Sequence, residues 1–332
     1  MDHTHILRAA AGHDNEPVTV TDTGYAVLRA SGADAAEFLH NQLSNGVTGL
    51  GPHAVQRAAY CNPKGRVIAL LRVLRHGDDV LLILPRERAE AVLKRLRMFV
   101  LRSRVQLEQD AGLALLGVAG AGAAAALETA GLPAPETGVA PGSVTVVAIG
   151  RRTPRFLLNG TPAELERLEP RLGAPAPGVA WHTAEILDGM PEIEGAAAEQ
   201  FLPQSLNLDL PPLPAVDFGK GCYPGQEIVA RLHYRGRPSR RLFLLRAPPG
   251  AALPAAGDSI RDGAGREAGH VVSAAAAGTA GAYLLGALRL EARAAKDLAT
   301  AAGSPLEWPS AALQPNADAI EQPPAGDRPQ GA

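Results

Sequence analysis

A chain of 332 residues, 46% hydrophobic and 20% charged, is long enough for two or three domains with substantial cores and has an ordinary soluble-protein composition. Its net charge of −2 creates no global field for nucleic acid or an anionic membrane, so any polyanion contact has to come from a local patch. No apolar run reaches membrane-spanning length, and residues 1–16 are polar with no signal-like core, so a flexible N-terminus and a cytoplasmic location are expected.

Residues 17–30 alternate as a strand (Val18, Val20, Tyr25, Val27), and Ser31 offers an N-cap to a helix carrying Ala35, Phe38, Leu39 and Gln42. Strands follow at 55–60, 66–74 and 80–84, the last two joined across His76-Gly77-Asp78-Asp79, which has hairpin chemistry. Pro85 suits the first position of a helix with Ala89, Val92, Leu93 and Leu96 on one face. Further strands are predicted at 99–107, 113–118, 143–149 and 155–159, with an alanine-rich helix near 121–130. Thr161-Pro162-Ala163-Glu164 is a capping box opening a helix to about Leu172, and a short helix fits 179–187. This alternation implies an α+β fold with mostly antiparallel sheets. After Arg241, short apolar runs separated by Gly and Pro turns read as a small C-terminal β-barrel, and the Pro-, Ala- and Gly-rich end reads as a disordered tail. The expected division is 1–16 flexible, 17–110 and 111–239 as two α+β subdomains, 240–310 barrel, and 311–332 tail.

Lys220-Gly221-Cys222-Tyr223-Pro224-Gly225-Gln226-Glu227 is the chemically richest stretch. Free cysteine usually packs as a small hydrophobe, but the glycines and proline here describe a surface turn, and Lys220 and Glu227 do not suit a buried slot. Lys220 adds positive potential that favours thiolate, and a helix opened by Pro224 would do the same through its N-terminal dipole. Cys61, at the end of a strand before Asn62-Pro63, reads as structural. Two cysteines this far apart make no CxxC pair and no full thiolate set for a cluster, so no metal is expected to be bound by this chain alone. Arg231, Arg235, Arg237, Arg240 and Arg241 then crowd eleven residues with His233, Tyr234 and no acid. They form either an anion site or a junction cluster paired with distant carboxylates.

The stretch from Lys220 to Gly236 resembles the signature of YgfZ-type folate-binding proteins, bacterial relatives of the glycine cleavage T-protein. Ser31-Gly32-Ala33-Asp34 before Phe38-Leu39, Cys61-Asn62-Pro63-Lys64-Gly65-Arg66, and Phe201-Leu202-Pro203-Gln204 extend the similarity over roughly residues 18–300. The resemblance implies a T-protein-like body around a central channel for tetrahydrofolate or a folate derivative, with the motif cysteine displayed near it. It also implies a part in assembling or repairing iron–sulfur clusters of selected enzymes, including some that modify tRNA. The expected partners are then the folate and iron–sulfur client or assembly proteins, with no direct nucleic acid contact and no membrane.

By the same resemblance, Tyr25 and Trp181 stand where a pterin-contacting pair is expected, Tyr25 in place of a tryptophan, although Trp181 also reads as a core anchor of its helix and Tyr25 as core strand packing. Tyr223, Gln226, Glu227 and Arg231 complete the candidate ligand set, and Cys222 with Lys220 forms the chemical pair. Gln226 and Glu227 also read as capping the first turn of the following helix, and Arg231 as bracing the turn or meeting the ligand tail. The aminomethyltransferase branch keeps an acidic pair where this chain has Ala69-Leu70, and its folate-facing glutamate would fall near Leu187, with Glu185 and Asp188 adjacent but out of phase. An accessory protein rather than a classical enzyme is therefore expected. The competing readings are a folate-dependent aminomethyltransferase or demethylase, and a folate sensor in which Cys222 is incidental.

Overall fold

The computed structural model describes residues 16–211, 214–316 and 320, so nearly all of the N-terminal stretch expected to be flexible lies outside it. Strand β1 (Val18–Val20) departs at once to a second sheet, so it does not join the first subdomain expected for 17–110. The first sheet has the order β3-β4-β5-β2-β6, all antiparallel, from β2 (Tyr25–Ser31), β3 (Val55–Cys61), β4 (Val67–His76), β5 (Asp79–Pro85) and β6 (Gln106–Gln109). Helices α1 (Ala35–Gln42) and α2 (Arg86–Arg97) cover one face of it.

The second sheet contains β7 (Ala114–Ala119), β8 (Gly138–Ala140), β9 (Thr145–Ala148), β10 (Arg155–Gly160) and β11 (Ala174–Pro175), in the order β11-β1-β7-β10-β9-β8. Helix α3 (Ala123–Thr129) and helix α4 (Pro162–Leu172) pack outside it, and α4 carries both bonds of the expected capping box. Helix α5 (Gly178–Leu187) leads on to α6 (Gln226–Arg235).

Period-two alternation explains why the central strands look apolar throughout. Along β2, Ala26, Leu28 and Ala30 face α1 and α2, whereas Tyr25 and Val27 face the second sheet. In β5, Val80, Leu82 and Leu84 likewise take one side and Leu81 and Ile83 the other. The two sheets thus stack face to face with helices on both outer sides, and strands covered on two faces lose the polar half of their pattern.

Strands β12 (Arg240–Ala247), β13 (Ser259–Arg261), β14 (Glu267–Ala276), β15 (Ala282–Arg289), β16 (Leu298–Thr300) and β17 (Pro305–Leu306) follow in the order β12-β15-β14-β13-β16-β17. A bridge between Arg246 and Glu307 brings the two ends of this curled sheet together around Phe243, Leu245, Ile260 and Leu284. A further core joins β3 and β4, α5, α6 and the barrel strands through Leu70, Leu187, Val229, Leu242 and Val272.

Four local expectations are corrected. The strand expected at 99–107 is a turn followed by β6, because only Gln106–Gln109 pairs with β2; Met98 and Leu101 are left 61% and 85% exposed. Asp34, not Ser31, precedes α1, and Pro85 closes β5 one residue before α2 begins. The tail expected from 311 is packed through 316: Leu313 enters the central core, and Gln314 pairs with both backbone groups of Leu244 at 3.0 and 2.8 Å. The rest of that tail, Ile320 apart, lies outside the described residues.

Candidate functional site

The turn bearing Cys222 is held from three directions. Ahead of it, the Asp217 amide donates to the Ser44 carbonyl at 2.9 Å, and the Asp217 carboxylate accepts the Gly219 amide at 2.8 Å. Lys220 then reaches the end of α1, where its ammonium donates to the carbonyls of His40 and, at 2.7 Å, Leu43. A cation suits that helix end because the last carbonyls have no intrahelical partner. Burial brings Lys220 down to about 8, with the charges of Asp217 and Cys222 opposing the shift. The Tyr223 ring is buried beneath the ammonium, 5.0 Å from centroid to Nζ.

From the third side the β3–β4 loop meets the motif backbone to backbone. Gly225 has φ 81°, and a Cβ there would stand 2.4 Å from the Asn62 carbonyl oxygen and 2.5 Å from the Gly65 Cα. Both motif similarities seen in sequence, at 61–66 and 220–227, therefore serve one joint. Cys222 is exposed on its outer side, whereas Cys61 is buried and its thiol pushed up to about 12 by desolvation.

The remaining motif residues divide. Gln226 donates to the Lys220 carbonyl at 3.4 Å, but Glu227 is exposed and makes no side-chain cap; Gly225 holds the N-cap position of α6 without one. The arginine cluster also separates. Arg241 is buried on the Asp209 carboxylate at 2.5 and 3.1 Å, and Arg240 pairs with Glu267 at 2.9 Å. Arg231, Arg235 and Arg237 are exposed.

Tyr25 and Trp181 belong to a second locus, in the core between the two stacked sheets. The Tyr25 hydroxyl donates to Glu192 Oε1 at 2.9 Å, and the Arg72 guanidinium lies 4.8 Å above its ring. The Trp181 indole packs on Gly117 of β7, where a Cβ would intrude to 2.4 Å, and carries Arg155 at 5.3 Å. Arg72 bridges Glu185 at 2.7 Å and Glu192 at 3.3 Å, and Arg155 bridges Glu185 at 3.0 Å and Asp188 at 2.6 Å. All of these ionic side chains are nearly inaccessible. Burial alone would raise Glu185, yet Arg72 and Arg155 bring it below the ordinary value; at Glu192 burial prevails and the carboxyl is raised.

Beside this network runs a cleft of about 270 Å³ between α5 and β14, lined by His182, Glu185, Met190, Glu192, Glu194 and Ser273 among others. Glu192 Oε2 and Ser273 Oγ have no hydrogen-bond partner among the described residues. Cys222 does not line this cleft. Ala69 and Leu70 are buried apolar residues of β4, as their identities require. Glu185 and Asp188, read in sequence as out of phase, instead point inward onto arginines. The sequence reading missed Arg57, Arg72, Arg155 and Glu192; arginines inside apolar strands were the available signal, because buried arginine nearly always has a partner.

No family model matches the sequence. The chain is 34% identical over 242 residues to the tRNA-modifying protein YgfZ of Sodalis glossinidius, covering 71% of this chain and 73% of that one. It is 32% identical over 250 residues to the protein of the same name from Pectobacterium carotovorum, covering 74% of each. The Escherichia coli protein of that name is 34% identical over 251 residues, covering 74% of this chain and 76% of its own. Among solved structures, the glycine cleavage system aminomethyltransferase T from Bartonella henselae superposes with a TM-score of 0.75 at 18% identity, over 93% of this chain and 89% of that one, which shows the fold. A T-protein fold, joined to relatives of this identity over about three-quarters of both chains, makes the chain a member of the YgfZ family.

Proposed function

We propose that this chain is a cytoplasmic, tetrahydrofolate-binding accessory protein for iron–sulfur cluster assembly or repair, including clusters of tRNA-modifying enzymes, with Cys222 as its reacting group. The observation that carries the reading is the motif joint: the thiol is exposed, while Lys220, Tyr223 and Gly225 are each anchored to a different partner. A displayed sulfur on a fixed turn suits transient contact with a client protein or its cluster. Lys220 supports it as a nearby positive charge, and Gln226 by holding the Lys220 carbonyl.

The cleft fits the head of a folate in one respect. A pterin ring is neutral and offers N–H donors along one edge, and Glu192 brings a carboxylate oxygen without a partner among the described residues. Tyr25 and Arg72 would fix Glu192 from behind, and Trp181 would support the wall through Arg155 rather than stack on the ring. Tyr223, Glu227 and Arg231 belong to the motif side and would meet the ligand only through its tail. The aminomethyltransferase or demethylase reading is weaker because Glu185 and Asp188 are committed to Arg72 and Arg155 and are not poised as bases.

Calorimetric titration with tetrahydrofolate, combined with a cluster-dependent enzyme assay in cells, tests the proposal. Cys222→Ala is expected to abolish support of the cluster enzyme and leave folate affinity unchanged. Unaltered support in that variant would leave only a folate sensor, and methylene turnover from an amine donor would restore the transferase.

A further inference from the structure

We propose that the outer face of α6, with the segment that follows it, is a docking surface for single-stranded RNA. The inner side of this helix puts Val229 into the central core. Arg231, Tyr234 and Arg235 follow at three- and four-residue spacing, which places them together on the outside, and Arg237 lies just beyond the helix. Tyr234 is 52% exposed. None of the three arginines has an ion pair or hydrogen bond among the described residues.

Three carboxylates of the surrounding segments are engaged elsewhere. Asp209 is taken by Arg241, Glu267 by Arg240, and Asp217 by the Gly219 amide. Glu227, a turn ahead of Arg231, is the single acid on the helix. Exposed guanidinium groups at this spacing favour an anionic partner, and their planar forks match phosphate oxygens in pairs.

The rings decide which polyanion fits. Phe218 and His233 stack at 3.6 Å with an interplanar angle of 13°, and Tyr234 meets His233 edge-on at 4.8 Å. Burial keeps His233 below its ordinary value, so it serves as a neutral ring in this ladder. The ladder ends at an exposed phenol between arginines, which offers a platform for an unpaired base and clamps for the phosphates beside it. An acidic peptide would use the cations and ignore the platform, and a duplex would hide its base faces.

The test is fluorescence anisotropy of the full chain with an end-labelled single-stranded RNA of about a dozen nucleotides. With three phosphate contacts, the log–log salt slope is expected near about −2. Tyr234→Ala should weaken binding by about fivefold or more, while Tyr234→Phe keeps it. Replacing Arg231, Arg235 and Arg237 together by alanine should remove the salt dependence and most of the affinity, with the thermal midpoint unchanged because all three are exposed. No binding up to about 100 µM protein at low salt, where even non-specific contacts register, would overturn the proposal. So would full affinity in the triple variant, equal binding of a duplex, or displacement by polyglutamate at matched charge.

Discussion

Cys222 was legible in the sequence because everything that exposes it is local: glycines and a proline within a few positions make a turn whatever the rest of the fold does. The role of Lys220 was only half legible. Its neighbour Cys222 is adjacent in sequence, but the carbonyls that hold its ammonium come from His40 and Leu43, far away along the chain. These two roles predict a pH dependence. Lys220 is protonated below about 8, so its ammonium stands as a positive charge beside Cys222 there and is lost as pH rises through that value. Lys220→Met should therefore slow alkylation of Cys222 by iodoacetamide severalfold near neutral pH, with the two rates converging in alkaline solution. Cys61 will not confuse the readout, since its thiol is buried and held near about 12. Rates that coincide at every pH would show that Lys220 serves only the end of α1.

Elements with strong period or capping signals were read correctly: the α4 capping box, the hairpin between β4 and β5, and α5 all lie where the sequence put them. The ionic network on α5 was not, because its arginines are contributed by β4 and β10 and nothing in the helix itself reveals them. Glu185 is the hub, pairing with Arg72 and Arg155 at once. Glu185→Gln should cost about 3–5 kcal/mol, since it leaves two buried guanidinium groups undercompensated, and urea unfolding will measure it. Against the desolvation that would raise it, these arginines depress the Glu185 carboxyl in the folded state. Its stabilising share is thus complete above the ordinary glutamate value of 4.5 and drains away as pH falls through the depressed one. The gap between parent and variant should accordingly narrow in acid; a gap that stays constant would assign the loss to packing.

At the scale of the molecule, mixed α+β texture and an all-β end were readable, because alternation and turn residues report on each strand separately. What was hidden is the way three sheets share cores. The strand continuing from 18 to 30 in sequence is divided between two sheets, and the region beyond 310, apolar-poor in composition, contributes one leucine that the central core needs. That leucine makes the last six described residues before 317 a clasp. Leu313 packs with Leu187, Leu242 and Val272, Gln314 extends the backbone pairing of β12, and the carbonyls of Ala312 and Leu313 accept from Arg152 at 2.8 and 3.1 Å. The clasp therefore ties the barrel to α5 and to the second sheet, which also holds Asp188 through the amides of Arg151 and Arg152. Ending the chain at Ser310 should cost at least the burial of one leucine, about 2–5 kcal/mol. Leu313→Ala in the full chain should account for most of that loss in calorimetric unfolding. If the truncation unfolds like the parent, the contacts of 311–316 are incidental, and the rest of the central core holds the barrel to the stacked sheets without them.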